Sequence, residues 1–216
     1  MRWYEVERAA LADTLLELGP DAPTVCEGWR TRHLAAHLYL RQNRPTRTLG
    51  AFLPPFAAAT ERAVQSLGDE HGSLAGYARL VADFVAGPGR WSPMRLAGDS
   101  ANLAEYVIHH EDARRGTWPD APRPFAHRRL PPSMEAALRR RAGFMARMAY
   151  WRDADGVVLC DPDGTPWWRR KGPAPVVVTG PTIDLLLHAS GRARVADVEV
   201  AGTAAARDRF LARHVH

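Results

Sequence analysis

The chain has 216 residues, of which 46% are hydrophobic and 25% are charged, and this balance supports a packed core and excludes general disorder. No apolar run approaches the roughly 20 residues that a membrane-spanning helix requires, and the first residues carry no apolar signal segment. We therefore expect a cytoplasmic protein that binds no membrane. The net charge is +5, but nearly all basic residues are arginines spread along the chain, so we expect no nucleic-acid partner.

The first 150 residues predict an antiparallel helix bundle, because apolar residues recur there at helical spacing. Thr31 is the expected N-cap of the second helix, and either Ser100 or Asn102 is the expected N-cap of the fifth. Six helices are predicted, over residues 4–18, 31–43, 56–67, 74–85, 102–116 and 131–151. We expect this bundle to form a domain over residues 1–152.

The sequence changes its character after residue 155, where short apolar runs alternate with turn signals. Strands are predicted over residues 157–160, 167–170, 175–179 and 195–200, and helices over 182–188 and 204–214. This pattern predicts a small α+β domain over residues 153–216, so the fold class is mainly α with a small α+β appendage.

We expect two groups of side chains, the two cysteines and the arginines at positions 139–141, to have no catalytic or binding role. Cys26 and Cys160 are far apart in a chain without an export signal, so we expect free thiols. Cys26 has no histidine beside it in sequence that would activate it, and we expect it to be inert in its loop. The arginines at positions 139–141 are expected on a solvated helix face rather than against an anionic partner.

The candidate metal ligands are Glu105, His109 and His37. Glu105 and His109 are four residues apart, so on a helix their side chains lie on one face, one turn apart. His37 lies on the apolar side of an earlier helix and could supply a third ligand. Imidazole and carboxylate suit zinc, and three protein ligands leave a coordination position open, as in catalytic zinc sites.

Spacing alone leaves other arrangements open. His33 is one turn before His37, so these two histidines form a competing pair. His110, Glu111 and Asp112 form a competing cluster, which we expect to support the site or to contact Arg114 and Arg115 at the surface.

Two segments carry a resemblance to a known family. Residues 22–38 contain the pattern Pro-Thr-x-Cys-x-Gly-Trp followed by Leu-x-x-His-Leu. Residues 102–115 contain Asn-x-x-Glu-Tyr-x-x-His-His-Glu-Asp-x-Arg-Arg. Together they resemble the mycothiol-dependent maleylpyruvate isomerase N-terminal family of DinB-like four-helix bundles, in an actinobacterial metal-binding subgroup. Residues 178–192 resemble the small sterol-carrier-like α/β domain of the same family.

The resemblance implies that His37, Glu105 and His109 bind a divalent metal, with zinc expected and nickel, iron or manganese as alternatives. It implies mycothiol as the co-substrate of a thiol transferase or isomerase. The partners would then be a low-molecular-weight thiol and a small electrophile, in a monomer or homodimer. An arginine of the second domain holds the acidic substrate in the isomerase. Arg169, Arg170 and Arg192 are the candidates here, and none is aligned with that role.

Two other functions fit the same ligands. The metal could activate water, which would make the protein a metal-dependent hydrolase. Alternatively, the protein could be a non-catalytic metal-binding or carrier module, whose second domain holds an apolar ligand.

Overall fold

The computed structural model describes residues 2–44, 54–89, 94–117 and 126–215, with the backbone alone for 54–56 and 94–101. Within these ranges the protein is mainly helical, with eight α-helices and a four-stranded mixed sheet, so the predicted class is confirmed. None of the described helices is long and apolar enough to cross a membrane. Contacts divide the chain into an N-terminal unit, Met1–Phe125, and a C-terminal unit, Ala126–His216.

The N-terminal unit consists of helices packed around leucine-rich faces. Its described helices are α1 (Trp3–Leu18), α2 (Thr31–Asn43), α3 (Pro54–Glu70), α4 (Leu74–Val85) and α5 (Met94–Arg114). Helix α1 packs against α4 and α5, whereas α2 packs against α3, α4 and α5. The fully buried side chains include Leu11, Leu15, Leu34, Leu38 and Leu103, which recur at the helical spacing seen in the sequence.

Two predicted N-caps in this unit are wrong. Helix α5 begins at Met94, so Ser100 and Asn102 lie inside it, and buried Asn102 accepts a hydrogen bond from Arg41 Nη1 (2.9 Å). Thr31 is the first residue of α2 and Arg30 is its N-cap, because the Thr31 hydroxyl donates to the carbonyl oxygen of Gly19. In both places a tertiary partner takes the side chain that local capping rules would have used.

The C-terminal unit combines three helices with the sheet. Its helices are α6 (Pro132–Ala149), α7 (Thr182–Ala189) and α8 (Ala204–His214). Its strands are β1 (Val157–Cys160), β2 (Pro166–Arg170), β3 (Val176–Thr179) and β4 (Glu199–Ala201), in the spatial order β2-β1-β3-β4. Strand β1 is antiparallel to β2 and parallel to β3, with Leu159 opposite Val178, and β3 is antiparallel to β4.

The unit boundary differs from the domain boundary expected between residues 152 and 153. Helix α6 packs against α7, and its residue Ala146 belongs to the same buried cluster as Tyr150, Leu159 and Phe210. Contacts therefore group α6 with the sheet rather than with the preceding helices. The helical period of α6 reveals that it has an apolar face, but not which partner covers that face.

Two smaller expectations also differ from the structure. The strand expected over residues 195–200 is replaced by a 3₁₀ turn (Ala193–Val195) and the shorter β4. Arg139 is half-buried rather than solvated, because its guanidinium bonds to Glu135, Asp161 and Thr182.

Candidate metal centre

Helices α2 and α5 bring the three predicted ligands together. His37 lies on α2 one turn after fully buried Leu34, and its own side chain is 14% exposed. Glu105 and His109 lie one turn apart on α5, as their spacing predicts. One ligand atom from each of the three side chains lies within 4.8 Å of the other two.

A single oxygen is the centre of this group. The Oε1 atom of Glu105 lies 3.3 Å from His37 Nε2 and 3.3 Å from His109 Nε2. Arg41 Nε lies 3.1 Å from the same oxygen, one helical turn after His37 on α2. The Glu105 side chain keeps 29% of its exposure, whereas those of His37 and His109 keep 14% and 8%. The group is therefore mostly buried, and Glu105 is its most exposed member.

The second ring nitrogen of His109, Nδ1, is hydrogen-bonded to a buried carboxylate. Its Nδ1 lies 2.9 Å from Asp112 Oδ2, and the Asp112 side chain is fully buried. The Cys26 Sγ donates to the same Asp112 oxygen at 3.3 Å. Because a carboxylate oxygen accepts, His109 Nδ1 carries a proton, and this contact orients the ring so that Nε2 faces Glu105.

The surroundings shift the pKa values of the three candidate ligands in different ways. Burial opposes the charge on Glu105, but hydrogen bonds from His109 and His37 and the charge of Arg41 bring its pKa well below the usual value. Burial also opposes a charge on His109, yet Asp112, Cys26 and Glu105 together raise its pKa well above the usual value. Burial lowers the pKa of His37, only partly offset by Glu105. Glu105 therefore carries its negative charge, and His37 is the more readily neutral imidazole.

A loop before α2 closes one side of the group. The backbone N–H of Val25 donates to the Asp112 carbonyl oxygen at 2.9 Å, which ties the loop to the end of α5. Gly116 allows this approach, because a Cβ atom there would lie 2.0 Å from the Pro23 carbonyl oxygen. The same loop carries Trp29, whose ring lies 5.3 Å from the His37 ring.

The competing arrangements are not assembled. His33 turns away from His37, since its Nδ1 accepts from the Arg30 backbone and its Nε2 contacts Asp69. The cluster at positions 110–112 is divided among three sets of contacts, two of them separate from the candidate ligands. His110 contacts Glu7 and Thr14, and Glu111 pairs with Arg114 and Arg115, as expected, although inside the unit rather than at its surface.

Cys26 differs from its expectation in one respect. It forms no disulfide within the described residues, as predicted, but His109 and Asp112 lie beside it. These three side chains form a second group with the spacing of metal ligands. The separation of 86 residues between Cys26 and Asp112 hid this contact from the sequence. One indication of this contact was present in the sequence, because the motif at residues 22–38 contains Cys26 and the motif at residues 102–115 contains Asp112.

Comparisons with other proteins add no relative. No family model matches the chain, and neither the curated proteins nor the solved structures contain a match.

Proposed function

We propose that the chain binds a divalent metal ion, zinc in the first instance, through His37, Glu105 and His109, and uses it to activate a low-molecular-weight thiol. The observation that carries this proposal is the convergence of two imidazole nitrogens and a carboxylate oxygen from two helices within 4.8 Å. Mycothiol is the thiol that the family resemblance suggests, and a small electrophile would be the second substrate.

The orientation of His109 supports a cation at this position. Asp112 holds the proton of His109 on Nδ1, so Nε2 of the neutral ring presents a lone pair. That lone pair would face the negatively charged oxygen of Glu105 at 3.3 Å, which is repulsive. Either a second proton on His109 or a metal ion relieves the repulsion. Metal binding would therefore displace a proton that His109 otherwise holds.

The donor set and its spacing fit zinc. Ligand atoms that bind zinc tetrahedrally at 2.0–2.1 Å are about 3.3 Å apart. The two histidine nitrogens lie at this distance from Glu105 Oε1. Nickel, iron and manganese also accept two imidazoles and one carboxylate, so they remain alternative metals.

Three protein ligands leave room for a substrate atom. A bound metal would supply Lewis acidity, which lowers the pKa of a coordinated thiol and favours the thiolate. The protein's own residues would position the reaction: Asp112 orients His109, Arg41 holds Glu105, and the partial exposure of Glu105 provides access from solvent. Thiol addition, thiol transfer, or isomerisation by addition and elimination would follow from a thiolate held in this way.

The same proposal includes a fold family for each of the two units. The N-terminal helices, with ligands on α2 and α5, are compatible with a DinB-like four-helix bundle, and the C-terminal unit with a sterol-carrier-like domain. We extend the proposal to a cytoplasmic monomer or homodimer that acts on small molecules. The motifs at residues 22–38 and 102–115 support this extension.

The experiment is a zinc titration of the metal-free protein by calorimetry, followed by a mycothiol titration of the zinc-loaded protein. We expect one zinc per chain, and mycothiol binding that depends on zinc. Glu105→Gln should weaken zinc binding at least about 100-fold, because it removes an anionic ligand. Glu17→Gln on the exposed face of α1 is the matched control and should bind zinc as the wild type does.

The outcomes separate the parts of the proposal. Equal zinc affinity in Glu105→Gln and Glu17→Gln would exclude this site. Zinc binding without any effect on mycothiol would exclude thiol activation. Ester or amide turnover without a thiol would then favour the hydrolase, and the absence of turnover would favour the carrier module.

A further inference from the structure

Helices α1 and α4 form an apolar groove on the surface of the N-terminal unit. The two helices pack against each other, and the groove between them has a volume of about 380 Å³. Its described lining consists of four alanines, which include Ala82, together with Leu16, Val81, Val85 and Asp13. Leu16 and Val85 keep 50% and 39% of their exposure, so no described part of the chain covers the groove.

The apolar surface of the groove continues along both helices. Val6 lies one turn before the lining residue Ala9 on α1, and Leu74 lies one turn before the lining residue Ala78 on α4. Val6 and Leu74 are 41% and 75% exposed. The α1–α4 groove, with this continuation, therefore exposes four large apolar side chains.

Asp13 is the charged residue among the described lining of the groove. Its side chain is exposed and forms no ion pair with any described residue. It lies one turn after Ala9 and one turn before Leu16, so an occupant of the groove would meet a negative charge among apolar side chains. The complementary surface would combine large apolar side chains with basic ones.

Helix α6 carries an exposed surface of that kind. Phe144, Met148 and Trp151 are 56%, 62% and 58% exposed. Phe144 and Met148 lie one turn apart on α6, and Trp151 follows two residues after the helix ends. Arg140 and Arg147 are exposed on the same face by helical spacing, and neither forms an ion pair with any described residue. We call these five residues the α6 ridge.

The two surfaces together contain most of the exposed large apolar side chains of the described ranges. Of nine such side chains, three belong to the α6 ridge and four to the α1–α4 groove or its continuation. Exposed apolar residues that have no partner are normally scattered singly, whereas contiguous ones mark interaction sites. The ridge also has the residue types that supply most of the energy at protein interfaces, namely Trp, Phe, Met and Arg.

We propose that the α6 ridge of one copy of the protein docks in the α1–α4 groove of a second copy. An apolar helix face in a groove between two helices is an established mode of protein recognition, and the alanines leave room for the long ridge side chains. Asp13 would attract Arg140 or Arg147 of the other copy. A nucleic acid or an anionic membrane would complement only the ridge, whereas a second copy complements both surfaces. None of the candidate metal ligands belongs to either surface, so this inference does not depend on the metal proposal.

The test is sedimentation equilibrium of the full chain near pH 7, over protein concentrations of about 1–100 μM. We expect the wild type to self-associate. Ala82→Trp fills the groove without a change of charge, and Trp151→Ser removes the largest apolar side chain of the ridge. Each should weaken self-association at least about tenfold, and so should Asp13→Arg, which reverses the charge of the groove. All three positions are exposed, so these variants should fold.

A mixture of two variants identifies the contact. Ala82→Trp keeps an intact ridge and Trp151→Ser keeps an intact groove, so together they should form a 1:1 dimer although neither associates with itself. A contact between two ridges would leave Ala82→Trp self-associating, and a contact between two grooves would leave Trp151→Ser self-associating. Either result would overturn the proposal.

Two controls change exposed residues outside both surfaces. Ala205→Trp adds the same bulk on α8, and Leu18→Ser removes an exposed apolar side chain at the end of α1. Both should associate as the wild type does, and a loss equal to that of Ala82→Trp would refute docking in the groove. A wild-type chain that stays monomeric throughout would also refute it. If that monomer binds vesicles of phosphatidylglycerol and phosphatidylcholine and Trp151→Ser does not, the ridge recognises an anionic lipid surface instead.

Discussion

His109 in the N-terminal unit and His188 in the C-terminal unit are buried to a similar extent, at 6% and 3% exposure, yet their pKa values move in opposite directions. Burial is unfavourable for the charged form of both rings. Asp112 and Glu105 overcome this at His109 and raise its pKa. At His188, which contacts Tyr150 and stacks on Phe210, burial and the nearby His214 lower the pKa to about 4.

The difference shows that neighbouring carboxylates, rather than depth, determine what a buried histidine can do. His109, between two carboxylates, favours a positive charge at Nε2, whether a proton or a metal ion supplies it. His188, among aromatic rings, stays neutral and offers an N–H donor. The first environment suits a cation, and the second keeps the ring uncharged.

The largest expected effect is a loss of folding stability in acid that is caused by His188. Its pKa is about 4 in the folded protein and about 6.5 when unfolded, so the unfolded chain takes up a proton first as the pH falls. The contribution of His188 to stability is therefore fully present above about pH 6.5 and is lost on acidification toward pH 4, by about 3 kcal/mol. Urea unfolding, followed through NMR signals of β1 and β3 amides, measures it.

His188→Gln serves as the control for this effect, because glutamine does not titrate. The fall in unfolding free energy between pH 7 and pH 4 should be about 3 kcal/mol smaller in the variant than in the wild type. An identical fall in both proteins would show that the pKa of His188 is not depressed.

An intermediate effect is expected from Asp112→Asn. The amide can no longer accept from His109 Nδ1 as a carboxylate does, and the ring loses its orientation and part of its basicity. Zinc affinity should fall about 10- to 100-fold, while the C-terminal unit keeps its acid response. Calorimetric zinc titration measures the first quantity. Unchanged zinc affinity would show that Asp112 does not position the ligand.

The smallest effect is expected from Cys26→Ala, which removes the weaker of the two contacts to Asp112 Oδ2. A thiol donor at 3.3 Å contributes little beside the His109 contact at 2.9 Å. Zinc affinity should stay within about threefold of the wild type. A loss as large as that of Asp112→Asn would instead identify Cys26 as a metal ligand, as the second ligand group allows.

The sequence predicted many of the elements because each depends on local pattern. The helical period over residues 4–18 and the turn after Cys160 both correspond to observed elements. The N-caps of α2 and α5 were missed because Thr31 and Asn102 bond to distant groups instead of capping. The partner of α6 was missed because an apolar face does not identify what covers it.

By itself, the sequence determined the mainly helical class, the shared helix face of Glu105 and His109, and the selection of His37 as their companion. Only the tertiary structure decided that His37 approaches Glu105 and that Cys26 approaches Asp112. The helical class and the shared face of Glu105 and His109 follow from the period of a helix, which any short segment expresses, whereas the motif at residues 22–38 selected His37. The contacts that the structure added join residues 68 and 86 positions apart, which only packing brings together.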